Sequence, residues 1–375
     1  MNRRTFLLGA LGVIGAAVGG GVSFVKRPEF GRLPSGDRLM RIQKSPHYAN
    51  GHFQNLVPVP IMNDDPGQPH ENRVVASIKW LLEDKSALIP KRPLPSAKTD
   101  IAALKDDAVV WLGHSSFFIR LNDKNILVDP VFSAYASPLF FINKAFPGSN
   151  IYTAADFPRI DILTITHDHW DHLDYKSVMG LKDKTQAVIC PLGVGEYLEQ
   201  WGFAADKIFE EDWYEQIDIA DNLTVHILPT QHFSGRFLTQ NPTEWGGFAF
   251  VTNKRKVYVS GDGGYGTHFK AIGEKFGGFD LALMENGQYN MAWHAIHMLP
   301  VETADAAADV KARYVIPSHS GKFALSRHPW QEPYRELTKA STDMPYKLLT
   351  PKIGEAVYID QLGTQSFSPW WEEGE

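Results

Sequence analysis

The chain has 375 residues, 43% of them apolar and 12% aromatic, enough for a large core in one or two domains. Its formal net charge of −6 argues against a nucleic-acid partner held by bulk electrostatics. Cys190 is the only cysteine, which excludes an intrachain disulfide and a cysteine-based metal cluster.

Arg3 and Arg4 precede an apolar stretch from Phe6 to Val25, with Lys26 and Arg27 behind it. The stretch is about long enough to cross a bilayer, roughly 20 residues, and it resembles a bacterial twin-arginine export signal. Residues 1–27 are therefore expected to be a signal or anchor, and the protein to be exported to the periplasm. The segment is either cut near Ala16-Ala17-Val18-Gly19 or kept as an inner-membrane anchor; the alternative is an ordinary buried helix. Residues 28–105 are rich in proline and turns, and are expected to wrap the main domain rather than fold alone. One amphipathic helix is expected from Glu71 to Lys85, with Val74, Val75, Ile78, Trp80, Leu81 and Leu82 on its apolar face. The run from Asn50 to Pro58 shows no readable chemistry.

From residue 106 to 362 the pattern changes to short apolar strands with tight turns. Strands are expected at Ala108–Gly113, Ser116–Arg120 and Asn125–Asp129, with a turn around Asn122. His114, in Gly113-His114-Ser115-Ser116, either lines a site or sits paired in the core. Asp129 ends its strand before Pro130, as a support for a ligand or as a turn cap. Phe132, Phe140, Phe141, Ile142 and Phe146 follow, and either dip into lipid or pack in the core. The next strand, Ile160 to Thr166, is short and β-branched, and it runs into His167-Asp168-His169-Trp170-Asp171-His172. On extended backbone His167 and His169 point the same way. Asp171 and His172 follow where the chain turns, and reach a second point beside the first. Imidazole and carboxylate donors of this kind suit borderline divalent metals such as zinc.

Later strands repeat the arrangement. Ala187–Cys190 is a strand and Gly193 to Gly202 a helix. Strand Asn222–Pro229 leads to His232, and strands Gly247–Thr252 and Lys256–Ser260 lead to Asp262 in a glycine-flanked turn. After a strand from Phe279 to Glu285, His297 lies just before a helix from Val301 to Ala312, and strand Tyr314 onward ends at His319. Four separate strand ends thus supply His or Asp. Residues 363–375 form a tail in which Trp370 and Trp371 either sit at a membrane interface or cap the domain.

The run from Thr166 to His172 resembles the signature of the metallo-β-lactamase superfamily, and the order of the later residues agrees with it. The resemblance implies an α+β fold, a four-layer αββα sandwich with the N-terminal extension wrapped round it. It implies two divalent metal ions, zinc by default with manganese or iron tolerated. His167, His169 and His232 would take the first, Asp171, His172 and His319 the second, and Asp262 would bridge them. A metal-bridged hydroxide would then attack phosphorus or a carbonyl carbon. Catalytic parts fall to Asp171, Asp262 and His297, the last as leaving-group acid or oxyanion donor. Asp168 either supports the site from behind or holds a water. Leu127-Val128-Asp129-Pro130-Val131, His297-Met298-Leu299-Pro300 and Gly321-Lys322-Phe323-Ala324-Leu325 resemble the branch containing N-acylphosphatidylethanolamine phospholipase D. The expected substrate is a phospholipid; a lactone, a small phosphate ester, or no turnover at all in a metal-binding envelope protein are the alternatives.

Overall fold

The computed structural model describes residues 23–62, 83–105, 107–220, 222–236 and 239–373. The signal-like segment up to residue 22 and most of the helix expected from Glu71 to Lys85 lie outside them.

The extension begins with helix α1 (Gly36–Ile42) and a hairpin of β1 (Tyr48–Ala49) and β2 (His52–Phe53). It has no core of its own among the described residues. Ile42, Phe53 and Leu94 are buried in the central cluster of the main domain, and Ile101 and Leu104 in the layer outside its first sheet. Arg38 of α1 adds ion pairs of 2.7 Å to Glu196 and 2.7 Å to Glu210.

The first sheet starts as an antiparallel meander of β3 (Ala108–Trp111), β4 (Phe117–Leu121) and β5 (Lys124–Val128). Its second turn is the two-residue Asn122-Asp123, with φ of 53° and 59°. This is the left-handed pair that matches the twist of a hairpin, and Asn and Asp tolerate it. β6 (Ile160–Thr164), β7 (Thr185–Pro191) and β8 (Ile208–Glu211) continue in parallel, with α2 (Tyr175–Leu181) and α3 (Gly195–Gln200) between them.

The second sheet repeats that order. β9 (Gln216–Ala220), β10 (Leu223–Leu228), β11 (Gly247–Thr252) and β12 (Lys256–Val259) are antiparallel. α4 (His268–Phe276), β13 (Leu281–Glu285), α5 (Pro300–Asp309), β14 (Tyr314–Ser318), α6 (Glu332–Ala340) and β15 (Lys347–Leu348) follow, the strands in parallel. The chain then returns to the first sheet, where β16 (Ala356–Tyr358) pairs with β3. The result is two seven-stranded sheets face to face, with helices outside both.

Strand alternation fills three apolar layers. From β4, Phe117, Ile119 and Leu121 enter the layer between the sheets, while Phe118 faces the helices. From β13, Leu281 and Leu283 enter the same central layer, and Ala282 and Met284 face α4 and α5. This is the expected αββα sandwich, with most strand bounds within a residue or two of expectation.

Trp370 and Trp371 of the tail are buried in the central cluster, so they cap the sandwich. The aromatic insertion packs in the core only in part. Phe146 is buried, whereas Phe140 and Phe141 are 77% and 62% exposed. No helix among the described residues is long and apolar enough to cross a membrane.

Candidate metal centre

The residues singled out after strand ends converge at one edge of the sandwich, between the two sheets. Nε2 of His167 lies 2.9 Å from Nδ1 of His169, and Nε2 of His232 lies 3.3 Å from the same atom. Beside them, Nε2 of His172 is 3.6 Å from Asp171 Oδ2 and 3.0 Å from Asp262 Oδ2. Nδ1 of His319 is 3.1 Å from Asp262 Oδ1. Asp262 stands between the two groups, with Oδ2 3.9 Å from His167 Nε2 and 4.0 Å from His232 Nε2. All seven expected donors are thus brought together.

The backbone needs unusual conformations to do this. His114, Asp129 and His319 take positive φ of 53°, 40° and 58° as they leave their strands. For non-glycine residues such geometry costs on the order of 1–3 kcal/mol each and persists where the surroundings enforce it. The His114 and His319 loops enforce it on each other: His319 N donates to His114 O at 3.0 Å, and His114 N to Ser320 O at 3.1 Å. The glycines round Asp262 answer to crowding. A Cβ on Gly261 would sit 2.6 Å from Gly246 O, and one on Gly264 would overlap the Ala295 carbonyl.

Buried partners fix the donors. Asp129 Oδ2 lies 2.7 Å from His172 Nδ1 and accepts from Thr166 Oγ1 at 2.6 Å, while Oδ1 accepts from Thr166 N at 2.8 Å. His114 lines the site, its Nε2 2.8 Å from Asp171 Oδ2. Asp168 points away from the donors. It accepts from Gly235 N at 2.7 Å and from Tyr197 Oη at 2.7 Å, so it supports the loop from behind. Arg236, buried, donates to the carbonyls of Asp168 and Leu173 and lies 4.3 Å from the centre of the Trp170 ring. His297 lines the cleft and its Nδ1 is 2.6 Å from Glu285 Oε1.

Two contributors were not foreseen. Asn55 of the extension clamps the backbone of His232, accepting from its N at 3.0 Å and donating to its O at 2.8 Å. A lone Asn in a loop gives no sign of a partner 177 positions away. Glu285 left a sign: it is a carboxylate ending an otherwise apolar strand.

Burial, and then the neighbouring rings, hold His167, His232 and His319 well below the usual imidazole range; burial takes His169 down to about 4. These rings are therefore neutral, as metal ligands must be. Burial would lower His172 too, but Asp262, Asp171 and Asp129 outweigh it and raise its pKa. Burial lifts Asp262 to about 6 despite His172. Nε2 of His169, His172 and His319 and Oδ1 of Asp262 are buried without a hydrogen-bond partner among the described residues. The two separations measured from His169 Nδ1, 2.9 and 3.3 Å, match edges of a tetrahedron around an ion with Zn–N bonds near 2.0–2.1 Å. The donor set fits a two-metal centre, with the second group formed by His114, Asp171, His172 and His319.

Fold and donor set together define a metal-dependent hydrolase of the metallo-β-lactamase fold. The chain belongs to that superfamily: the family model described as "Beta-lactamase superfamily domain" matches residues 124–320. An uncharacterized protein of Mycobacterium tuberculosis is 37% identical over 338 residues, 88% of each chain. N-acyl-phosphatidylethanolamine-hydrolyzing phospholipase D 1 of Caenorhabditis elegans is 30% identical over 262 residues, 65% of this chain and 74% of that one. Among solved structures, the metallo hydrolase Igni18 of Ignicoccus hospitalis superposes with a TM-score of 0.51 at 20% identity, covering 67% of this chain and 97% of that one.

Proposed function

We propose that this protein is a phosphodiesterase of the N-acylphosphatidylethanolamine phospholipase D type, acting on phospholipid. The observation that carries the reading is the nature of the cleft. The metal donors open into a cavity of about 270 Å³ whose other walls are mostly apolar, Ile61, Met62, Phe233, Trp293, Ile296 and Leu325, with Gln288 and His297 as the polar exceptions. A groove of about 720 Å³ continues past Ile61, Met62 and Phe233 along the extension. An ionic centre beside an apolar wall suits an amphiphile, its phosphate at the donors and its chains along the wall. The nematode relative, named for hydrolysing such a lipid, supports the choice.

In this proposal His167, His169 and His232 hold one ion, Asp171, His172 and His319 the other, and Asp262 lies between them. Two zinc ions there would acidify a water and offset the charge of the phosphate; manganese and iron also suit such donors. Asp129 and His114 hold His172 and Asp171 in line. His297 faces the departing oxygen as a proton donor. The exposed Phe140 and Phe141 sit on a loop that packs on Phe323 and Leu325 at the cleft, and we place this edge against the inner membrane of an exported protein.

The test is release of N-acylethanolamine from N-acylphosphatidylethanolamine by zinc-loaded protein. His167→Ala and Asp262→Asn are expected to abolish it. Turnover that survives removal of the metals rejects the reading. Preference for water-soluble lactones or small phosphate esters over micellar phospholipid would move the activity to those substrates. No hydrolysis of any ester would leave a metal-binding envelope protein.

A further inference from the structure

Glu285 is the last residue of β13 and has no exposed surface. Its backbone is fixed on both sides, with N donating to Ser260 Oγ at 2.9 Å and O accepting from Thr303 Oγ1 at 2.9 Å. Its carboxylate is fixed too: Oε2 accepts from Met298 N at 3.2 Å, which leaves Oε1 against Nδ1 of His297 at 2.6 Å. An apolar residue would fill this core position without the cost of burying a carboxyl group. The carboxyl group's one side-chain contact of hydrogen-bond length among the described residues is the imidazole. That imidazole lines the metal cleft, stacks on His319 with ring centres 5.1 Å apart, and has a ring nitrogen within 4.8 Å of donor atoms of His232 and Asp262.

With Nδ1 taken by Glu285, Nε2 is the nitrogen left for the cleft. We propose that Glu285 is a positioning residue, which grips Nδ1 of His297 so that Nε2 is presented with a proton to the leaving oxygen of a phosphodiester. This deepens the phosphodiesterase reading and rests on it. The pair carries two protons, one between Oε1 and Nδ1 and one on Nε2. As the oxygen of water bonds to phosphorus, the bond from phosphorus to the leaving oxygen breaks and its electron pair stays on that oxygen. The Nε2 proton moves to it, giving the free alcohol. The proton between Glu285 and Nδ1 settles on Nδ1. The proton shed by the attacking water then restores the pair.

The experiment compares wild type with Glu285→Gln, which keeps the shape and removes the acidic proton shared with Nδ1. Two phosphodiesters are used, one with an alkyl alcohol as leaving group and one with p-nitrophenol. General acid catalysis contributes about 10² to 10⁴ in rate. Glu285→Gln is expected to lower kcat on the alkyl diester by about 10² or more, and on the p-nitrophenyl diester by no more than a few-fold, because that group leaves without a proton. KM and metal content are expected to stay as in wild type. Nitrogen-15 spectra of His297, recorded without substrate, are expected to show Nε2 protonated in wild type and a changed pattern in the variant. His297→Gln should reproduce the same split between leaving groups. Equal loss on both diesters overturns the proposal, and so does an unprotonated Nε2 in wild type. Loss of bound metal in Glu285→Gln overturns it as well, since that would make Glu285 a ligand. If wild type cleaves neither diester, the phosphodiesterase reading fails, and the proton-relay proposal falls with it; the spectra then report only the orientation of the ring.

Discussion

Asp129 holds three groups at once: the ring of His172 and both the amide and the hydroxyl of Thr166, the residue just before the ligand loop. It is wholly buried, and its φ of 40° is tolerable because those bonds hold it there. Removing the carboxylate frees His172 to rotate and leaves the loop entrance untied. Asp129→Ala is therefore expected to weaken metal binding by about 10- to 100-fold, the usual effect of losing such a support, as read by chelator competition. A variant that keeps full affinity would reduce Asp129 to a turn cap. The residues that face the donors were legible from the sequence because each follows a strand and each is His or Asp. Of the residues that act on the donors from another part of the chain, Asp129 was legible at its strand end, but Asn55 was not. Asn55 reaches His232 only after the extension has wrapped the domain, and nothing within its own stretch of sequence records that.

At the scale of elements, the loop from Thr166 to Leu173 depends on what lies behind it. Arg236 binds carbonyls at both ends of the loop, Asp168 and Leu173, and packs against Trp170, Tyr197 and Trp201. Phe30 of the extension meets Trp170 edge-on with ring centres 5.1 Å apart. Arg236→Met keeps much of the apolar contact and strands three carbonyls, that of Glu29 in the extension among them. The expected loss is about 3 kcal/mol, the sum of charge-assisted bonds lost and carbonyls left unpaired, measured as a shift in the denaturant midpoint. Metal affinity should fall with it, since the same loop carries four of the donors. An unchanged midpoint would mean that water replaces the guanidinium. Short, nearly continuous apolar runs, such as β4 and β11, were placed from the sequence to within a residue. β16 was missed, because three residues have no period of their own and are a strand only through pairing with β3. α6 was missed for another reason: its sequence is polar on most sides, and its buried residues are Pro333, Tyr334 and Leu337.

The whole molecule places its most costly groups where its two sheets meet, so its stability should depend on what occupies that edge. In metal-free protein, burial and then crowding by neighbouring rings depress the folded pKa values of His167, His232 and His319, and burial depresses His169 to about 4. The ordinary value for the unfolded chain is 6.5. Below that, the unfolded chain takes up protons that the folded one refuses, so stability falls as pH falls. The loss runs from 6.5 down through the folded values, about 4 for His169. His172 and Asp262 are shifted upward, and each offsets part of it, but four depressed rings outnumber them. Bound metal changes the balance by mass action: at a thousand times its dissociation constant it adds about 4 kcal/mol per site. Chelated protein is therefore expected to melt lower than zinc-loaded protein at neutral pH. Its melting temperature should fall first as the solution is acidified, and the two curves should meet once protons displace the metal. Calorimetry with and without chelator across that range checks this. Parallel curves, or a metal-free protein that gains stability in acid, would show that the buried rings are not the groups on which the fold's cohesion turns.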